Sequence, residues 1–257
     1  MKHLRSMIPI KLPASFTMQA GHCATHGEAQ ALVRQGHAWA CPTCHETQVA
    51  AQVRARWIEQ RKADLLYDAN IPQKYAGLHF IANTPAQRQT RNLVTSFLDA
   101  IADGKQWAAL ILCGEAGTGK TRLACELAQH CASDLLRSVR YVTANEMIGQ
   151  IQASYNTEGK SEAAEIARLV DYELLIIDEI DAKVGSDNAQ RLLTEVINRR
   201  YNADKPVIII SNQQFDRLVH FVGDRVHDRL HENAFICVFQ WPSFRRRQKP
   251  HILRAIA

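Results

Sequence analysis

The sequence predicts an α/β fold in which five parallel strands form one sheet with helices on both faces. Three observations carry this reading. Five short apolar runs, 108–113, 139–143, 174–178, 207–211 and 235–239, alternate with stretches of helical periodicity. The first run leads into Gly114, Glu115, Ala116, Gly117, Thr118, Gly119, Lys120 and Thr121, a complete G-x-x-x-x-G-K-[ST] template, and a helical pattern follows it. The third run, Leu174 to Ile177, closes on the acid pair Asp178 and Glu179 at the strand's C-terminal end, where open α/β sheets place their ligands.

Taken in chain order, the first chemistry lies near the N-terminus as Cys23-x2-His26-x14-Cys41-x2-Cys44. Two close ligand pairs joined by a short arm suit a tetrahedral Zn²⁺ with no open position, so the site reads as structural. His22, His37 and His45 stand close enough in sequence to rival His26. Leu32, Val33 and Trp39 are few large apolar residues for a core, which makes the metal a condition of folding. We read residues 1–48 as a zinc-binding domain, 49–83 as a connecting helix and linker, and 84–257 as the larger domain. From Thr47 to Tyr67, Val49, Val53, Trp57, Ile58, Leu65 and Leu66 recur at helical spacing among arginines and a lysine, predicting an amphipathic basic helix. Ile71-Pro72 ends it, and 73–80 reads as linker.

The loop at 114–121 sits between strand and helix, the context in which glycines let backbone N–H groups surround a polyphosphate. The spacing therefore predicts a nucleoside triphosphate, with Lys120 reaching the β- and γ-phosphates and the Thr121 hydroxyl on Mg²⁺. Asp178 would hold that Mg²⁺ through water and Glu179 would polarise the attacking water, which favours hydrolysis over transfer to a small acceptor. Asn212, just beyond the fourth strand, is placed to orient the same water.

The 257 residues include 46% hydrophobic and 22% charged residues, ordinary for a water-soluble chain. No apolar run approaches a membrane span or a signal-peptide core. The net charge of +5 permits a nucleic-acid partner without requiring one. Seven cysteines, an odd number, are placed as metal ligands and buried thiols, which points to the reducing cytoplasm.

Several segments resemble the AAA+ ATPases, and within them the DnaC/IstB branch of bacterial helicase loaders and transposition helpers. They are Ile71-Pro72-Gln73-Lys74-Tyr75 with Phe80; Asn198 to Asn202 with Lys205-Pro206 before the fourth strand; Gly223 to Leu230; and Trp241-Pro242-Ser243-Phe244-Arg245. The likeness covers 71 to about 247 and its motifs occur in order. It implies an AAA+ P-loop core, and an ATPase that loads a hexameric replicative DNA helicase onto single-stranded DNA during replication initiation. It also implies self-assembly into an open helical oligomer. Arg229 would be the arginine finger reaching a neighbour's site, with Arg225 its rival, and Arg245 a second sensor in the same subunit. Lys183, Ser186, Asn188 and Arg191, after the acid pair, would face DNA. The alternatives are an IstB-like ATPase assisting a transposase and, from another class, a metabolic P-loop kinase.

Overall fold

A computed structural model describes residues 15–103, 107–159, 161–181 and 187–244. The chain divides into two compact units, residues 1–60 and 61–257. In the first, β1 (Phe16–Cys23) and β2 (Gly27–Arg34) form an antiparallel hairpin whose tight turn carries Cys23 and His26. Gly21 in β1 is there for space: a Cβ would lie 2.3 Å from the Trp39 ring, and the Trp39 indole N–H donates to the Gln19 carbonyl at 3.2 Å. The hairpin escaped the sequence reading because its large apolar side chains are so few.

The helix that follows, α1 (Pro42–Asp68), starts five residues before Thr47. Proline suits the first helical position, where its missing N–H has no partner to lose. Cys41-Pro42-Thr43-Cys44 is therefore the entry to a helix, with the His45 N–H donating to the Cys41 carbonyl at 2.9 Å. The predicted amphipathic face is not buried: Val49, Val53 and Trp57 remain 42%, 61% and 61% exposed. Leu65, near the end, is the one buried residue described in this helix. The division between the compact units falls within α1, between residues 60 and 61.

The second unit encloses the predicted sheet. Its elements are α2 (Pro85–Asp103), β3 (Ala109–Gly114), α3 (Lys120–Ser133), β4 (Val139–Thr143), α4 (Ala144–Ala153), α5 (Glu162–Asp171), β5 (Leu174–Asp178), α6 (Asp187–Asn202), β6 (Val207–Ser211), α7 (Val219–Val222), α8 (Asp224–Asn233) and β7 (Ala234–Phe239). The described strands lie in the order β4-β5-β6-β3-β7, every neighbouring pair parallel. Alternate residues feed opposite cores, as the two-residue period of a strand demands. Ile111, Ile177 and Ile209 join Met147, Leu169, Leu193 and Leu230 on the face covered by α4 to α8. Leu110, Leu112, Ile176 and Ile208 meet Phe97, Leu123 and Leu127 of α2 and α3 on the other.

Residues 71–80 are bound to this unit. Phe80 is buried and its N–H donates to Glu126 at 2.6 Å, while the Gly77 N–H donates to the Gln129 side chain at 2.7 Å. The stretch read as a linker is a clasp across α3. Upstream, the Ala69 carbonyl accepts the Tyr141 N–H at 2.8 Å, covering part of the edge strand β4.

Arg200 is the largest fully buried side chain described. Its guanidinium donates to the carbonyls of Leu169 (2.7 Å), Val170 (3.2 Å), Tyr172 (3.0 Å) and Pro206 (2.7 Å). It thus caps the C-terminal end of α5 and ties it to the start of β6, a cation on the negative end of a helix dipole. Burial lowers its pKa to about 9. Replacing it with methionine fills most of the volume and removes the guanidinium from the carbonyls of Leu169, Val170 and Tyr172, while the Pro206 carbonyl keeps the Leu175 N–H at 3.4 Å. Arg200→Met should destabilise the chain by about 3 kcal/mol, read as a lower urea midpoint; an unchanged midpoint would exclude the staple.

Candidate nucleotide site and metal centre

The phosphate loop leaves β3 at Gly114 and enters α3 at Lys120. Gly114, Gly117 and Gly119 have φ of 131°, 83° and 101°, which side-chain-bearing residues rarely adopt. At Gly114 a Cβ would also lie 2.4 Å from the Phe239 carbonyl oxygen of β7. Lys120 is buried and its ammonium donates to the carbonyls of Gly114 (2.6 Å) and Glu115 (2.8 Å). The Thr118 hydroxyl donates to the same Glu115 carbonyl at 2.8 Å.

The acid pair faces this loop. Asp178, at the end of β5, is 4% exposed. Its Oδ2 accepts the Thr121 hydroxyl at 2.9 Å and the Tyr141 hydroxyl at 2.7 Å; its Oδ1 accepts the Glu179 N–H at 2.7 Å. Glu179 has φ of 53°, a left-handed conformation that costs a non-glycine residue about 1–3 kcal/mol and clusters at functional sites. One cavity is lined by Tyr75, Ala116, Gly117, Gly119, Lys120, Thr121, Asp178, Glu179 and Asn212. The backbone N–H of Asn212 donates to Asp181 at 3.1 Å, holding the strand end in place. These residues fit a magnesium-bound nucleoside triphosphate: a glycine loop and ammonium for the phosphates, a hydroxyl beside a carboxylate for the cation.

Tyr141 was not anticipated from the sequence. It lies in β4, two residues before the Thr143 that pairs in register with Asp178. A tyrosine in an otherwise apolar buried strand must find a partner for its hydroxyl, and that signal was available. Burial first, then the Asp178 charge, pushes the phenol's pKa up.

In the first unit the structure brings together Cys23, His26, Cys41 and Cys44 and selects His26 over His22, His37 and His45. Their donor atoms lie within 4.8 Å of one another. Cys23 Sγ is 3.6 Å from Cys44 Sγ, and His26 Nδ1 is 3.7, 3.7 and 3.3 Å from the sulfurs of Cys23, Cys41 and Cys44. A tetrahedron with metal–sulfur legs of about 2.3 Å has edges of about 3.8 Å, so the set fits zinc. The N–H groups of Thr25 and His26 lower the Cys23 pKa to about 6, while Cys23 beside it pushes Cys44 up to about 11. The other cysteines, Cys113, Cys125, Cys131 and Cys237, are buried, and burial raises their pKa to about 11 or 12.

Arg229 on α8 is held within its own chain. Its guanidinium donates to Asn198 Oδ1 and lies 4.2 Å from the centre of the Tyr201 ring, both residues of α6. Arg225 on the same helix is exposed. Arg191 is paired with Glu162 through two bonds of 2.8 Å and also donates to Asn188 at 3.0 and 3.1 Å. Glu162's carboxyl falls to about 2, first through that arginine. Lys183, Ser186 and Arg245 lie outside the described residues. No described helix is long and apolar enough to cross a membrane.

The chain matches the family described as IstB-like ATP binding protein over residues 52–251. The replicative helicase loader DnaC of Escherichia coli K12 is 29% identical over 143 residues, 54% of this chain and 57% of that one. DnaC of Buchnera aphidicola subsp. Baizongia pistaciae is 28% identical over 145 residues, 56% and 58% of the two chains. The chain thus spans little more than half the length of these curated relatives. A crystal structure of the DnaC helicase loader superposes with a TM-score of 0.55 at 19% identity, over 66% of this chain and 100% of that one, a likeness of fold.

Protein purified without chelator should carry about one zinc per chain by elemental analysis, given a single four-ligand cluster among the described residues. A Cys41→Ser/Cys44→Ser variant that keeps its metal would place the ion elsewhere.

Proposed function

The chain belongs to the family of IstB-like ATP-binding proteins, and from that premise we propose that it is an ATP-driven loader delivering a hexameric replicative DNA helicase onto single-stranded DNA. The observation that carries the reading is the acid pair set against the phosphate loop, in a chain related to named replicative helicase loaders. When bound, magnesium-ATP supplies the phosphoanhydride whose hydrolysis drives the cycle. Lys120 and the loop N–H groups bind its phosphates, and Thr121 with Asp178 holds the cation. Glu179 accepts the proton of the attacking water, and Asn212 orients that water. Arg245 serves as sensor from the same chain, and Arg229 completes the site of a neighbouring subunit in an open helical assembly. A guanidinium supplied across an interface makes hydrolysis depend on assembly.

The zinc unit grips the helicase, and the larger unit faces single-stranded DNA through Lys183, Ser186, Asn188 and Arg191. Arg191 must leave Glu162 to meet a phosphate, so its contribution is smaller than that of an unpaired arginine. The loader works in the cytoplasm.

Incubated with the host's replicative helicase, ATP and single-stranded DNA, the parent chain should raise the helicase recovered on DNA, and Lys120→Ala should not. If the chain ignores helicase and recruits a transposase instead, the transposase-helper reading replaces this one. Glu179→Gln should bind ATP at near-parental affinity and lose hydrolysis by at least about 10²-fold, the usual contribution of a general base. Parental turnover in that variant would remove Glu179 from the role.

Arg229→Ala should hold ATP normally and turn over roughly 10³-fold more slowly. Mixing it with Lys120→Ala should restore activity, because each Lys120→Ala subunit lends its arginine to an intact neighbouring site. A mixture no more active than its parts would show that Arg229 does not act between subunits.

A further inference from the structure

Two hydrogen bonds reach the phosphate loop from the segment that follows β7. The Trp241 indole N–H donates to the Thr118 carbonyl at 2.9 Å, and the Phe244 backbone N–H donates to the Gly117 carbonyl at 2.9 Å. A trans peptide plane points its carbonyl and the next residue's N–H in opposite directions. Holding the carbonyls of Gly117 and Thr118 toward Trp241 and Phe244 therefore turns the N–H groups of Thr118 and Gly119 the other way. In a loop of this kind those amides face the α- and β-phosphates.

The donors are themselves anchored. The Trp241 ring lies 4.7 Å from that of Phe239 and 6.0 Å from that of Phe80, and both phenylalanines are buried. Phe80 in turn is fixed to α3 through Glu126. Gly119 is enclosed between Phe80 and Phe244: a Cβ there would lie 3.2 and 3.3 Å from the two rings. The first part of the loop is closed from inside, by Lys120 and Thr118 on the carbonyls of Gly114 and Glu115. Two carbonyls further on, at 117 and 118, are held from outside. Glycines at 117 and 119 leave those peptide planes little intrinsic preference, so an external hold has something to decide.

We propose that Trp241 and the backbone of Phe244 form a strap that sets the direction of the Thr118 and Gly119 amides, making Trp241 a positioning residue for di- and triphosphate recognition. The strap rests on ATP binding by the family and is independent of any helicase partner. It discriminates by phosphate: ATP and ADP share the groups the two amides receive, and adenosine lacks them.

Trp241→Phe keeps an aromatic ring on Phe80 and Phe239 and removes the donor. It should raise the Kd of ATP and of ADP by the same factor, about tenfold, the loss of one aligned hydrogen bond. Adenosine affinity and the turnover of the saturated protein should stay within about twofold, a change too small to represent a lost bond. A backbone pair checks the second bond. Phe244→Ala retains its amide and Phe244→Pro has none, so the proline variant should bind ATP about tenfold more weakly than the alanine variant. Parental ATP affinity in Trp241→Phe would overturn the proposal. So would a loss that extends equally to adenosine, or equal affinity in the Phe244 pair.

Discussion

Asp178 is a charged side chain buried at the end of a central strand, and such a group is tolerated only where donors meet it. Three do, and each comes from a different place: the Thr121 hydroxyl from the first turn of α3, the Tyr141 hydroxyl from β4, and the N–H of Glu179 from the turn after β5. The carboxylate thereby fixes the distance between the phosphate loop and the acid pair. It also holds Glu179 in a left-handed conformation that the residue would not choose alone. The register of β4 against β5 must be right for Tyr141 to arrive, and a slip of one residue would send its side chain to the opposite face. The sheet is thus constrained at its chemically useful end as well as through its core.

The N-terminal unit is organised by a different force. Few of its side chains are buried; among the described residues Val33 and Cys41 are its buried apolar ones. A hairpin and one exposed helix face cannot offset chain entropy on that basis. What the unit holds instead is the cluster of three sulfurs and one imidazole, a set that fits a divalent ion. Gly21 under Trp39 makes the same point sterically, since that ring is accommodated by the lack of a side chain opposite it. Were such an ion bound, metal binding and folding would be one event.

The strands were legible because each is a short apolar run bounded by breakers, and a parallel strand buried on both faces leaves that mark. Three of the five occupy the expected residues, one shifts by a single position and one starts a residue earlier. The phosphate loop and acid pair were legible because their chemistry demands contiguous residues. What was missed is non-contiguous. Tyr141 meets Asp178 across 37 positions, Trp241 meets Thr118 across 123, and Arg200 meets carbonyls about 30 residues upstream. The helix was also legible, but what its apolar stripe faces was not. Val49, Val53 and Trp57 have the spacing of a core-facing stripe but stand exposed, and periodicity alone records a stripe without recording what covers it.

The position of Arg229 bears on how hydrolysis could be tied to assembly. Its guanidinium lies over Tyr201 and on Asn198, while Tyr201 is itself held by Trp107 at 5.0 Å and by Glu232 at 3.2 Å. A cation over an aromatic face is worth about 0.5–2 kcal/mol, enough to favour one orientation and too little to lock it. An unassembled chain therefore keeps this arginine ordered against its own α6. On the trans reading, a neighbour's nucleotide must compete with that seat. A triphosphate offers several charge-assisted bonds where Asn198 and Tyr201 offer a neutral acceptor and a ring. The competition is thus biased toward transfer when phosphate is present and toward retention when it is not. On that reading nucleotide state and subunit contact would be coupled through a single side chain with two seats, the condition under which a ligand can shift a population.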